Sequence, residues 1–505
     1  MSSQNWIAID MGSASTRVAQ FNGQNVEILL DERGNPNFPT TIALINNTVD
    51  IGVASPFSDG YDYVIHDFKP QIAERWFRKE HLLCNDWTPL ITSRETSPLK
   101  FQLFQPFAQG GNLYFNHFAA LILAKTKTIA ETKLNETVEN VVLTVPEAYT
   151  YLDRMAFRQA ALEVGFTTVR FITDTLAAAL HHKYVKNQDC PSALVVNVGQ
   201  NFAAASVIDI QGSALTVKAV KAMEGCAGKN IDHKFIEAIC ELCDQKMYVD
   251  EPEFPEELLA SATFDLECEH AKRSLASNNY YVIRLYSETK DYTYIRALSK
   301  QFFEATCENV FNNLHSKMEQ FVSNPILFSA LYHVWPLIVT GGSAFIPKIL
   351  ESVRPMNRLT YFDSSAILES TVSGAALYAS SFTSTPAIPN LSVFEMITKT
   401  YSVQAAGTKH PLIRKETNCP VQGNLTLKFR TDLARIQVYE DDQMLAEYNM
   451  ENDYGRFRVN LNMDAFGMLT LTIVHGHDCA HVKEITGLVE MAWIDCSSSV
   501  VLGAL

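Results

Sequence analysis

Trp6-Ile-Ala-Ile-Asp-Met-Gly-Ser-Ala-Ser-Thr-Arg-Val18 is an apolar run that ends on Asp10, turns through small residues and becomes apolar again. The pattern predicts a strand, a tight turn and a returning strand. The turn of Gly12, Ser13 and Ala14 leaves its backbone N–H groups open. Amides that converge without bulky side chains suit a phosphate. Asp10, at the strand end, is placed to hold a Mg²⁺-bound water rather than to pack.

A second copy follows. Ala193-Leu-Val-Val-Asn-Val-Gly-Gln-Asn-Phe-Ala-Ala-Ala-Ser-Val207 repeats strand, turn and strand around Gly199. A third loop, Val339-Thr-Gly-Gly-Ser-Ala-Phe-Ile-Pro347, closes an apolar run and brings Gly341, Gly342, Ser343 and Phe345. Two such units and a late Gly-Gly loop predict an internally duplicated α/β domain clamping a nucleotide between its halves. Sugar kinases, actins and heat-shock-70 chaperones are built this way.

The chain has 505 residues, 47% of them hydrophobic and 19% charged, enough for two to four domains with a large core. A net charge of −15 argues against direct, non-specific nucleic-acid binding, which needs a basic surface. No apolar run reaches the roughly 20 residues of a membrane span, and no secretory signal is visible. Ten cysteines in this length are not disulfide-rich, so a cytoplasmic protein is expected. Cys240 and Cys243 have redox or metal spacing, but they sit within a helical pattern and read most simply as two packed thiols.

Along the chain, Val138–Val145 reads as a buried strand and Tyr151–Val164 as a helix. Thr175–His182 starts an Ala-rich helix, for which Asp174 is either an N-cap or a catalytic acid. Lys69 alone reads as a surface charge. Gly228 ends another anion-ready turn before a helix. Phe264–Ala276 is helical and puts Glu269, Lys272 and Arg273 on adjacent turns, as a salt-bridged face or as a pocket for a nucleoside. Tyr292–Val322 is expected to be one long helix with Phe302, Phe303, Cys307, Val310 and Phe311 as its stripe. Ser380–Pro389 is rich in Ser, Thr and Pro and reads as a linker. Short apolar runs at all-β spacing follow it. His475, His477, Cys479 and His481 would share a face in a strand, as zinc ligands do, but Gly476 and Asp478 suggest a turn that splits the set.

With these residues placed, the first 380 or so resemble the nucleotide-binding domain of the heat-shock-70 (DnaK-type) family. The carriers are Ile9–Ser15, Gly34–Pro39, Val142–Pro146, Ile172–Ala179, Glu269–Ser274 and Gly341–Pro347, in family order. The resemblance puts Lys69 at the catalytic lysine and Asp174 at the family's glutamate. It implies that ATP is held by Asp10, Gly12, Ser13, Ala14, Gly199, Gly228, Glu269, Lys272, Arg273, Gly341, Gly342, Ser343 and Phe345, with Asp10 on Mg²⁺. The expected organisation is an actin-like nucleotide-binding domain over 1–382, a linker over 383–397 and a truncated β-type substrate domain over 398–505, without a helical lid.

The departures from the family are equally specific. The family's second loop reads Asp-Leu-Gly-Gly-Gly-Thr-Phe-Asp; here the eight positions run from Asn197 to Ala204, so both carboxylates are lost. Phosphoryl transfer depends on such positioning and charge neutralisation. With catalysis reduced to the remnants Lys69 and Asp174, the expectation is an ATP-binding protein that does not hydrolyse efficiently. The short, lidless form resembles the ribosome-associated-complex members. By that resemblance the partners would be a zuotin-type J-domain protein, the ribosome reached through it, and a conventional heat-shock-70 chaperone. A slow chaperone ATPase that binds unfolded peptides itself is the alternative, and a small-molecule kinase the more distant rival.

Overall fold

The computed structural model describes residues 5–45, 48–52, 63–73, 91–93, 115–187, 190–255, 258, 262–324, 336–354, 361–363, 367–429, 433–451, 455–475 and 479–484. The opening stretch forms strands Trp6–Met11 and Ser15–Phe21, paired antiparallel with Asp10 opposite Arg17. Asn140–Val145 lies parallel to the first strand, and Thr168–Thr173 lies parallel to Asn140–Val145 in turn. The second copy builds the same sheet again. Ser192–Val198 pairs antiparallel with Ala203–Gln211 and parallel with Pro336–Thr340, which carries Tyr361–Asp363 on its far side. Parallel central strands buried on both faces explain why these runs are continuously apolar.

Each half contributes one helix to the seam between the sheets, Asp174–Leu180 from the first and Ser370–Ser380 from the second. Every residue of both helices is buried. They cross at Gly374, where an added Cβ would lie 1.7 Å from the carbonyl oxygen of Ala177. Only glycine permits that approach. The Ala-rich composition of both helices has the same cause, since short side chains let two helices meet at backbone distance.

The segment Tyr292–Val322 is not one helix. Tyr280–Ser287 and Tyr292–Ser299 form an antiparallel hairpin, followed by separate helices Lys300–Thr306 and Glu308–Val322. Along Tyr292–Ser299 buried and exposed residues alternate with the period of a strand, and this overrides the helical stripe that begins only at Phe303. Cys240 and Cys243 lie near the end of helix Gly228–Cys243, with Cys243 buried.

The expected all-β region follows. Thr408–Ile413, Tyr401–Ala405, Leu433–Glu440 and Gln443–Glu451 form one four-stranded sheet, in that order. Val421–Phe429, Gly455–Met463, Leu469–His475 and Cys479–Glu484 form another. Val403, Ile436, Val438, Phe457, Val459 and Leu471 are buried in their shared apolar core. Among the described residues no helix follows Ser380. His475 ends one strand and Cys479 begins the next, and residue 477 of that histidine set lies outside the described residues.

The linker is not a free tether. Ser392–Phe394 adds a parallel strand to the edge of the second sheet, with Val393 opposite Leu215. Its neighbour Glu395 pairs with Arg154 at 2.9 Å and accepts the backbone N–H of Thr173 at 3.0 Å. Glu440 accepts the N–H of Tyr151 at 3.0 Å and the hydroxyl of Tyr401 at 2.9 Å. These bonds seat the β region on the first half. Phe382 joins the contact, its ring 4.7 Å from Trp6 and 5.8 Å from Phe466.

Gly374→Ala should force the two seam helices apart and cost about 1–3 kcal/mol or more. A lowered thermal midpoint by calorimetry is the expected outcome; an unchanged midpoint would show that the crossing tolerates a methyl group.

Candidate active site

The duplicated turns face one cleft. Gly12 donates its N–H to Ser15 O at 3.0 Å, and a Cβ there would lie 2.7 Å from that oxygen. Thr40 holds the same turn from behind, its hydroxyl bonded to Gly12 O and its N–H to Ala14 O. Ser13 and Ala14 are left at the turn's surface. In the second copy, Gly199 O accepts both the N–H of Gly228 and the hydroxyl of Ser343, each at 2.9 Å. The second phosphate turn, the start of helix Gly228–Cys243 and the late Gly loop therefore meet at one point. A Cβ on Gly228 would collide with Ser343 Oγ at 2.3 Å, and one on Gly341, at φ +96°, with Asn197 Oδ1 at 2.4 Å. These glycines make room for close packing of loops, and their own N–H groups are spent holding those loops, Gly12 on Ser15 O, Gly199 on Phe202 O, Gly228 on Gly199 O and Gly341 on Ile367 O. Gly342 follows Gly341 at the start of the short 3-10 turn that ends at Phe345.

The carboxylates converge from the first half. Thr144 Oγ1 donates to Asp10 Oδ1 at 2.9 Å, fixing the carboxylate at the strand end. Asp174 is not an N-cap: Thr173 occupies that position, and Asp174 is the first helical residue. Its Oδ2 accepts from Asn197 Nδ2 at 3.0 Å, while Oδ1 is buried without a hydrogen-bond partner. Burial pushes this carboxyl well above the usual carboxylate range; the Lys69 charge opposes the shift, and Glu147 and Asp10 add to it. Lys69 is not a surface charge. It is 3% exposed, within a 3-10 turn whose carbonyl accepts the hydroxyl of Tyr149, and its ammonium stands 5.8 Å from the Tyr149 ring centroid.

On helix Ala262–Ser277, Glu269 binds Lys272 at 2.6 Å and Arg273 at 2.7 Å. Lys272 also reaches Asp232, which accepts Gln200 Nε2 at 2.6 Å. Arg273 and Phe345 remain exposed, as flat groups offered to a base must be. The two bulky residues of the second turn are thus accounted for. Gln200 is drawn to Asp232, and Asn201 donates to Asp67. Asp67 also pairs with Lys229 at 2.8 Å, which ties the first half to the second beside Lys69. Asp67, Lys229 and Asp232 were not visible as site residues in the sequence, because their partners are separated from them by 32 to 162 positions.

A family model described as "Hsp70 protein" matches residues 6–465. The chain belongs to the Hsp70 family. It is 22% identical over 498 residues to "Heat shock 70 kDa protein" of Ajellomyces capsulatus, covering 95% of this chain and 69% of the relative. It is 22% identical over 503 residues to "Heat shock cognate HSP70 protein" of Trypanosoma brucei brucei, covering 96% and 73%. A heat shock protein of Pyricularia oryzae is 24% identical over 351 residues, covering 68% of this chain and 56% of that protein.

Membership corrects the expectation of a protein without enzymatic activity. Hsp70 proteins are chaperones that are ATPases, and relatives aligned over nearly the whole chain carry the heat-shock name. The changes in the second loop do not by themselves show that the activity is lost in this Hsp70-family chaperone. ATP with Mg²⁺ fits the residues present. Asp10 and Asp174 supply hard oxygen donors, the free Oδ1 of Asp174 lacks a partner, and the glycine turns admit no side chain. Among the described residues no helix is long and apolar enough to cross a membrane.

Lys229→Ala should loosen the tie between the halves and speed release of a fluorescent nucleotide by about two- to fivefold, the scale of a partly exposed ion pair. An unchanged off-rate would place the limiting contact elsewhere. Asp174 also sets a pH dependence. Its folded pKa is raised, so its contribution to stability is full below about pH 4 and declines as pH rises toward the folded value. In Asp174→Asn the thermal midpoints at pH 5 and pH 8 should lie closer together than in the parent.

Proposed function

We propose that this Hsp70-family chaperone binds Mg²⁺-ATP in the cleft, turns it over slowly, and works at the ribosome in a stable complex with a zuotin-type J-domain protein. In this reading it assists a conventional heat-shock-70 chaperone on nascent chains. The observation that carries it is the rewired second turn. Asn197 is bonded to Asp174 where the family pattern has a free acid, and Gln200 and Asn201 anchor the turn to Asp232 and Asp67. A site held this firmly suits tight binding with slow turnover.

Each residue has a task in this reading. The amides of Ser13 and Ala14 cradle phosphate oxygens, the turns of Gly12 and Gly199 give the phosphates room, and the buried Lys69 offsets their charge. Mg²⁺, when bound, would supply further neutralisation of the phosphates, and Asp10 would hold it through a bound water. Asp174 Oδ1 orients the attacking water. Glu269 and Lys272 face the ribose, and Arg273 and Phe345 the base. The linker strand and the Arg154–Glu395 pair favour a β region held against the nucleotide domain, as suits a subunit of a lasting complex. The alternative, direct capture of unfolded peptides, draws on Gln443–Glu451 and Thr408–Ile413, which are the edge strands of their sheet among the described residues.

Two measurements test the proposal. Single-turnover hydrolysis of labelled ATP should be slow but measurable, and should fall about tenfold or more in Asp10→Asn. Affinity isolation from lysate, with the same lysate pelleted through a sucrose cushion, should yield one J-domain protein in near-equal amount and ribosome association at low salt. A free monomer absent from the ribosomal pellet, with peptide binding by the isolated chain, would replace it with the independent chaperone.

A further inference from the structure

Gln200 grips the start of helix Gly228–Cys243 twice. Its carbonyl accepts the N–H of Lys229 at 2.7 Å. Its side chain then runs along one face of that helix. Oε1 lies 2.9 Å from the place a Cβ on Gly228 would take, and Nε2 donates to Asp232 Oδ2 at 2.6 Å. Gly228 and Asp232 are four positions apart, so they stand one above the other on the helix surface. The family pattern has glycine where this chain has Gln200, and glycine has no side chain to lay there.

The contacts continue from Asp232 into a second helix. Its other oxygen, Oδ1, takes the ammonium of Lys272, on helix Ala262–Ser277. Lys272 also binds Glu269 Oε2 at 2.6 Å, and Glu269 Oε1 accepts Arg273 Nε at 2.7 Å. Each carboxylate thus bridges two donors along the path. Lys272 is buried, so the middle of the path is screened little by solvent. The path begins at the turn that faces the phosphates and ends at the exposed Arg273. Holding the turn alone would need no such length. Asn201, the other residue in place of a glycine, bonds to Asp67 in the first half instead, so the two side chains serve different neighbours. Removing the Gln200 amide takes a donor from an acid that is already tied to Lys272, and such charge-assisted bonds are the strong ones.

We propose that Gln200 is a positioning residue that couples the two ends of the nucleotide cleft. Through Asp232 and Lys272 it ties the phosphate-facing turn to the helix of Glu269 and Arg273, so that a phosphate group at one end orders the nucleoside pocket at the other. This coupling rests on the cleft being the site of Mg²⁺-ATP binding. It makes the phosphate chain and the nucleoside one recognised unit, with neither part held well alone.

The test uses the full-length chain, with inorganic pyrophosphate and Mg²⁺ as the probe of the phosphate end. Gln200→Met keeps the length of the side chain without a donor, and Gln200→Gly removes it. Without ligand, amide hydrogen exchange over residues 266–275 should quicken about threefold or more in both variants. Pyrophosphate should slow exchange over the same residues in the parent and leave it unchanged in Gln200→Met, although both bind the probe with similar dissociation constants. The dissociation constant for ATP should rise about tenfold in Gln200→Met, the scale of one hydrogen bond to a charged group. Combining Gln200→Met with Asp232→Asn should cost less than the two losses multiplied, because both break one path. Unchanged exchange in Gln200→Met and Gln200→Gly would overturn the coupling, as would equal protection by pyrophosphate in Gln200→Met and the parent. Affinity for pyrophosphate that falls as far as affinity for ATP would also overturn it, by confining Gln200 to the turn. If the parent binds neither ATP nor pyrophosphate, the functional reading falls instead, and exchange without ligand still decides whether the tie exists.

Discussion

The contact on which the molecule depends is the crossing of two buried helices, Asp174–Leu180 and Ser370–Ser380, at the Ala177 carbonyl and Gly374. Each helix belongs to one of the duplicated sheets, so their separation sets how the halves face each other. It also places the cleft chemistry, because Asp174 opens one of the two. A helix buried on all sides has no amphipathic signature, and its stability comes wholly from tertiary packing. The composition of both segments, short side chains around one indispensable glycine, is what that crossing demands.

The second phosphate turn shows how a site is kept in working shape when glycines are replaced. Side chains at Gln200 and Asn201 would obstruct an anion if they turned inward. Each instead has a buried or half-buried carboxylate to bond, Asp232 for one and Asp67 for the other. Those two acids are themselves neutralised by cations, Asp232 by Lys272 and Asp67 by Lys229. Polar groups tied into such networks are held firmly, since leaving any member unpaired is costly in a low dielectric. The network spans both halves, so the local cure for two missing glycines is also a constraint on opening of the cleft.

Much of the fold was legible because it depends on local pattern. The strand-turn-strand repeat at Trp6 and at Ala193, the breakers at Gly165 and Pro146, and the alternating runs after Ser392 all report on neighbouring residues. What escaped reading depends on distant ones. Lys69 looks like any surface lysine until Tyr149 and Asp174 enclose it. Asp174 looks like an N-cap until Thr173 takes that position and Asn197 takes its oxygen. The helix expected through Tyr292 failed for the opposite reason. A genuine stripe from Phe303 onward was extended backwards over a strand whose period-two alternation was the stronger local signal. The catalytic expectation failed differently, because it rested on two missing acids in one loop, whereas the match to a family of ATPases runs over residues 6–465.

The linker unites these observations. A Ser/Thr/Pro-rich segment carries no strand signal of its own, yet Ser392–Phe394 completes the second sheet because the edge strand Ala214–Ala222 offers it unpaired backbone groups. Once that strand is in place, Glu395 is delivered to Arg154 and to the amide of Thr173. A buried acid–guanidinium pair contributes little net stability after desolvation, but breaking it leaves a buried charge without its partner. The seated linker therefore touches the backbone next to Asp174 through one hydrogen bond, from Thr173 N–H to Glu395.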